Sequence, residues 1–171
     1  MKHLLLFRHA KSCWANPALH DFDRPLNKRG RRASVAMADY LVSDMPRPDV
    51  VLCSTAQRTR ETLAPLLLHY DHEMDIVMCR DLYHADPDII LARVRQVKKE
   101  AAVIMVIGHN PGLEDCADLL CDSGERTEMW DKFPTAACAH ITFEKEDWTQ
   151  VGPKDGHLQA FVRPCDVLGQ S

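Results

Sequence analysis

The stretch MKHLLLFRHAKSCW, Met1 to Trp14, decides how the chain is read. Leu4, Leu5, Leu6 and Phe7 form a short apolar run of the kind that a strand buried on both faces requires. Arg8-His9 ends the run abruptly with two groups that resist burial. In open α/β sheets the carboxyl ends of strands open into the ligand crevice, so an Arg-His pair there is placed to meet a ligand rather than to pack.

Two further stretches repeat the pattern. DVVLCSTAQRTRET, Asp49 to Thr62, is an apolar β-rich run followed by small polar residues and a helical pattern that carries Arg58. VIMVIGHNPGLED, Val103 to Asp115, is the most hydrophobic segment of the chain; it reads as a central parallel strand and ends in Gly108-His109-Asn110-Pro111. In order, Arg8-His9, Ser54-Thr55-Ala56-Gln57-Arg58 and Gly108-His109 resemble the signature of the histidine phosphatase superfamily. RHAKS (Arg8 to Ser12), RPLNKRG (Arg24 to Gly30) and GHNPGL (Gly108 to Leu113) are similar to its short SixA-like phosphohistidine phosphatases, and the match runs to about residue 145. Members usually carry Gly after the first His; Ala10 stands here, as is common in the SixA-like branch.

The resemblance implies an α/β fold of three layers (α/β/α) with a mostly parallel central sheet, like phosphoglycerate mutase. It also implies a phosphatase that works through a phosphohistidine intermediate on His9, with no cofactor and no metal. Arg8 and Arg58 suit the clamping of phosphate oxygens, because a planar guanidinium clasps two at once and keeps its charge. His109 would donate to a third oxygen, immediately before a helix N-terminus that favours anions. Ser12 and Arg24 are further candidates for binding substrate. Other branches of the superfamily use a Glu general acid in a Leu-x-Glu stretch; the comparable residues here are Leu82-Tyr83-His84. That absence fits an imidazole leaving group, which needs less acid help than an alkoxide. Asp21 is the first candidate for an acid, followed by Asp23 and His84. The expected substrate is therefore phosphohistidine on a protein, such as a phosphotransfer domain or carrier protein. A small phosphorylated metabolite (a sugar or nucleotide phosphate) is the alternative, and a non-catalytic phosphate-binding module is the reading from another class.

Composition narrows the remaining classes. With 171 residues, one domain spanning 1–171 is expected. A composition 46% hydrophobic and 27% charged is that of an ordinary globular protein. The net charge of −4 argues against a general nucleic-acid binder. No apolar run reaches the roughly 18 residues of a membrane span, and Arg8 and Lys11 interrupt any signal-peptide pattern, so a cytoplasmic protein is expected. Seven scattered cysteines without a CxxC pair read as reduced thiols, mostly in the core. Locally, Arg24, Lys28, Arg29, Arg31 and Arg32 form a basic cluster that could steer an acidic partner.

Between the motifs, residues 10–26 read as a functional loop, followed by a helix over 28–43 and a strand over 49–53. Ser54 or Thr55 is expected to cap the next helix, running to about Tyr70, with a kink or an early end near Pro65. Asp75 to Met78 reads as an edge strand. Asp86-Pro87 starts a helix that Lys98-Lys99-Glu100 closes, and Asn110-Pro111 starts another in the same way. Residues 123–137 read as a polar loop carrying Trp130 and Phe133. Ala139 to Phe143 and His157 to Val162 read as the last strands, before a frayed tail. Trp14 and Trp130 are equally compatible with pocket walls and with core.

Overall fold

In the computed structural model, which describes residues 1–122 and 132–169, the N-terminal apolar run is strand β1 (Lys2–Arg8). The chain continues through α1 (Lys28–Asp44), β2 (Val50–Ser54), α2 (Gln57–His69), β3 (Asp75–Cys79), α3 (Pro87–Arg95) and β4 (Val103–Gly108). It then forms α4 (Gly112–Leu120), β5 (Cys138–Phe143), β6 (Gly156–Val162) and a short α5 (Pro164–Leu168). One six-stranded sheet takes the order β3-β2-β4-β1-β5-β6. Its first four strands are parallel, and β5 and β6 close it as an antiparallel pair.

Strand periodicity sorts the side chains onto two faces, because successive residues of a strand point to opposite sides. Leu4 and Leu6 of β1, Leu52 of β2 and Ile104 and Val106 of β4 pack with Ile90, Val94, Leu113, Leu120 and Trp148. Leu5, Phe7, Val51, Cys53, Met105 and Ile107 pack instead with Met37, Leu41, Leu63 and Leu66. Helices α3 and α4 thus cover one face, and α1 and α2 the other. This is the expected three-layer α/β/α arrangement, and it explains why the central strands carry unbroken apolar runs.

Several local expectations are corrected. Helix α2 runs to His69, close to the expected end near Tyr70, and does not stop at Pro65, because Leu66, only 1% exposed, anchors the last turn in the core. Its N-cap is Ala56 rather than Ser54 or Thr55, and the Ser54 hydroxyl is engaged elsewhere. Helix α3 stops at Arg95, so Lys98, Lys99 and Glu100 lie beyond it; Asp86 is its N-cap residue but forms no side-chain cap. Helix α4 begins one residue later than expected, with Pro111 rather than Asn110 in the capping position. The tail is not frayed directly after Arg163: α5 forms there, its first turn closed by reciprocal Arg163–Asp166 bonds, and Val167 packs on the α1 side of the sheet. Trp130 lies outside the described residues. Edge strand β3, the central β4 and the last two strands follow the sequence reading, and the last two pair antiparallel.

Candidate active site

Sheet register gathers the site. Arg8 pairs with Gly108, and Cys53 with Ile107, so the residues that follow β1, β2 and β4 emerge in one row at the strand ends. The backbone N–H of His9 donates to the Gly108 carbonyl at 3.1 Å, and the His9 and His109 ring centroids lie 5.2 Å apart. Arg58, in the first turn of α2, donates from Nε to His9 Nε2 at 3.3 Å. Arg8, His9, Arg58 and His109, the four strand-end residues singled out in the sequence, line one pocket of about 550 Å³ together with Asp21, Ser12 and Arg24.

The imidazole of His9 is held in one tautomer. Nδ1 donates to the Ala10 carbonyl at 2.7 Å, which leaves the lone pair on Nε2. The Ala10 N–H in turn donates to Thr62 Oγ1, and the Ala136 N–H to the His9 carbonyl, so the backbone beneath the ring is tied to α2 and to the segment before β5. Burial pushes His9 down to about 3; Arg58, Arg8 and Arg24 push the same way, and only the Ala10 carbonyl opposes them. His109 is pushed down to about 2 by burial and by its neighbours His9, Arg58 and His84. Its Nε2 lies 2.7 Å from Ser54 Oγ, and Nδ1 has no hydrogen-bond partner among the described residues. Both rings are neutral across the physiological range.

The RPLNKRG stretch acts as a brace. Arg24 donates to Ser12 Oγ at 2.6 Å and to Asp21 Oδ1 from Nε and Nη2. Asn27 caps α1 by accepting from the Gly30 N–H at 2.7 Å. Gly30 is required there, since a Cβ would stand 2.1 Å from the Lys11 carbonyl oxygen. In the GHNPGL stretch Gly112 has the same function, because a Cβ would meet the Ala85 carbonyl oxygen at 1.9 Å. Asn110 Nδ2 and Arg8 Nη1 both donate to the Phe133 carbonyl, which aims Arg8 into the pocket.

Asp21 is the hub of the cations. Arg58 donates to it from Nη1 through the backbone carbonyl and from Nη2 to Oδ2, and Tyr83 donates its hydroxyl to Oδ2 at 2.6 Å. Burial works against its charge, but the hydrogen bonds from Tyr83 and Arg24 and the adjacent Arg58 outweigh this and hold the carboxyl well below the usual range. Asp21 is thus an ionised anchor, poorly suited to the acid role that its loop position suggested. His84 Nε2 lies 3.3 Å from both Asp21 Oδ2 and Arg58 Nη2, with the ring stacked on Tyr83 and its backbone at φ 51. Asp23 is exposed and outside the pocket lining. Sequence reasoning missed Tyr83 and Thr62. Tyr83 follows the fourth parallel strand end, so the pattern that located the other three could have located it. Among the described residues no group of three or more His, Cys, Asp or Glu is arranged to hold a metal, and no helix is long and apolar enough to cross a membrane.

Residues 4–83 match the family model of the histidine phosphatase superfamily, branch 1. An uncharacterised protein of Mycobacterium tuberculosis is 32% identical over 162 residues, which cover 92% of this chain and 99% of the relative. Among solved structures, a protein assigned as the phosphohistidine phosphatase SixA of Nakamurella multipartitia superposes with a TM-score of 0.81 at 31% identity, covering 95% of this chain and 96% of its own. Its counterpart from Agrobacterium tumefaciens gives 0.81 at 29% identity, covering 95% and 98%.

Proposed function

Because the chain belongs to the histidine phosphatase superfamily as a SixA-like member, we propose that it removes phosphate from phosphohistidine carried on a protein, by way of a phosphorylated His9. The observation that carries this reading is the setting of His9: Nδ1 locked on the Ala10 carbonyl, and Nε2 free of a proton and facing Arg58.

Phosphoryl transfer asks mainly for positioning and for positive charge around three equatorial oxygens. Arg8 and Arg58 clamp two of them; His109, in the tautomer where Ser54 donates to Nε2, offers Nδ1–H to the third. His9 Nε2 attacks phosphorus, an N–P bond forms, and the bond to the leaving group breaks with its electron pair going to the leaving group. Nδ1–H stays on Ala10 and stabilises the imidazole as it loses electron density. Arg58 Nε–H, released from the nitrogen lone pair, turns to a phosphoryl oxygen. Water then attacks phosphorus from the opposite side and returns the lone pair to His9, giving inorganic phosphate. The arginines supply the charge that a metal supplies in kinases, so no metal is assigned to the reaction.

The leaving group separates the two substrate classes. An imidazole with an ordinary pKa near 6.5 departs close to neutral, whereas an alkoxide needs a strong proton donor. Asp21, held ionised by Arg24, Arg58 and Tyr83, is a poor one, which favours phosphohistidine. The test compares kcat/KM for a phosphohistidine protein, free phosphohistidine and a panel of phosphate monoesters under the same conditions. Both phosphohistidine substrates should lead; a monoester turned over faster than both would make this a small-metabolite phosphatase instead. Activity should survive EDTA, and its complete loss would end the metal-independent mechanism.

A further inference from the structure

Residues 14–20 form an exposed segment beside the pocket, and its chemistry is unlike that of an ordinary solvated loop. Its sequence, Trp-Ala-Asn-Pro-Ala-Leu-His, has no carboxylate, and it leaves Trp14 74% and Leu19 40% exposed. Trp14 shares the pocket with His9 and Arg58. Its indole lies with the Arg24 guanidinium carbon 3.4 Å from the ring centroid, so one face is covered by a cation and the other is presented outward. The platform is pre-set. Arg24 beneath it is buried and pinned to Asp21 and Ser12, the Cys13 N–H donates to the Pro25 carbonyl at 2.7 Å, and Asn16 closes its own turn by accepting from the Ala18 N–H. A rigid aromatic ring ordered before binding loses little entropy on contact.

The surroundings are cationic. Lys11 is exposed, and the Asn27 N–H donates to its carbonyl, which brings the start of α1, with exposed Lys28 and Arg29 and no acidic residue in its first turn, against the same stretch. Basic side chains at a helix N-terminus oppose the helix dipole, so the helix itself gains nothing from them. An exposed Trp set in a basic rim is the composition of an interface anchor, since aromatic and Arg residues dominate binding energy at protein contacts.

We infer that the 14–20 segment, anchored by Trp14, is the docking contact for the phosphohistidine-bearing protein, whose surface around that histidine is acidic. The inference rests on the substrate reading above. It makes Trp14 a specificity residue that acts on the carrier protein rather than on the phosphoryl group.

The experiment measures kcat/KM on a phosphotransfer domain phosphorylated on its histidine within an acidic surface, and on free phosphohistidine, and follows their ratio. Trp14→Ala should lower that ratio about 30-fold, chiefly through KM for the domain, the scale of losing one interface anchor. Trp14→Phe should restore most of it, and Leu19→Asp should lower it as well. Added salt should weaken wild-type action on the domain more steeply than on free phosphohistidine. A ratio within twofold of wild type in Trp14→Ala overturns the inference, and so does an equal loss on both substrates, which would place the ring in the chemistry instead. A wild-type enzyme that hydrolyses free phosphohistidine but not the domain defeats the substrate reading itself, before any variant is made, and the docking contact with it.

Discussion

At the scale of single residues, the site is a set of cations kept apart from one another by one carboxylate. Arg24 and Arg58 would repel across the pocket, and Asp21 reaches both, Oδ1 to the first and Oδ2 to the second. Asp21→Asn should therefore lower kcat without removing the nucleophile, by loosening Arg58 and Tyr83, whereas an acid role would show as a loss graded by the leaving group's pKa. Rates measured on aryl phosphates of different leaving-group pKa separate the two: a uniform loss is expected, and a loss confined to poor leaving groups would restore Asp21 as the acid. Arg8→Ala and Arg58→Ala should each cost on the order of 10²–10³ in rate, the usual scale for one charge-stabilising donor. Changes below tenfold in both, measured by steady-state kinetics, would remove the clamp from the mechanism. Arg8, His9, Arg58 and His109 were legible in the sequence because each lies within about five residues of the end of an apolar strand run. Tyr83 also follows a parallel strand end, but its role rests on a bond to Asp21 that spans 62 residues, and that pairing leaves no local mark.

At the scale of elements, close backbone approach sets the geometry of the loops. Gly30 lets α1 press on the Lys11 carbonyl, and Gly112 lets α4 press on Ala85, the neighbour of His84. Gly112→Ala should push the segment carrying Tyr83 and His84 away from the pocket. A lower melting temperature together with a drop in kcat is the expected result, and an unchanged melting temperature would contradict the close approach. By contrast, Asn27→Ala removes a cap and should cost about 1 kcal/mol of stability in denaturant unfolding. Strands β1, β2 and β4 could be read directly from the sequence because burial on both faces leaves an apolar run with no polar interruption. Helix ends were harder. Pro65 is tolerated because tertiary packing of Leu66 outweighs one lost backbone hydrogen bond, and the balance depends on a partner surface that no local window contains. Likewise α5 forms because Val167 finds the α1 face, a partner surface that the sequence reading of a frayed tail did not include.

At the scale of the whole molecule, neutral histidines, His9 and His109 buried and His140 half-buried, make the fold sensitive to acid. An unfolded histidine takes up a proton below about pH 6.5, whereas burial pushes His9 to about 3, His109 to about 2 and His140 to about 4 in the folded chain. Below pH 6.5 the unfolded state therefore binds more protons than the native one, and stability falls as the pH falls. The depressed Asp21 carboxyl adds a second loss in the same direction, but only below about pH 4, the unfolded carboxyl value. The melting temperature should decline from pH 6.5 to 4.5, and less steeply in His9→Ala, which removes one of the three rings; equal slopes would contradict the neutral buried state of His9. The three-layer sheet thus positions a nucleophile that stays unprotonated where a free histidine would be partly charged. The most direct measurement of the central claim is rapid quench of the enzyme with a phosphohistidine substrate, followed by mapping of the phosphorylated residue under alkaline conditions that preserve phosphoramidates. An acid-labile phosphoryl group on His9, formed before phosphate is released and absent in an inactive but folded His9→Ala, is the expected result; turnover with no phosphoenzyme, or with the phosphoryl group on another residue, would contradict it.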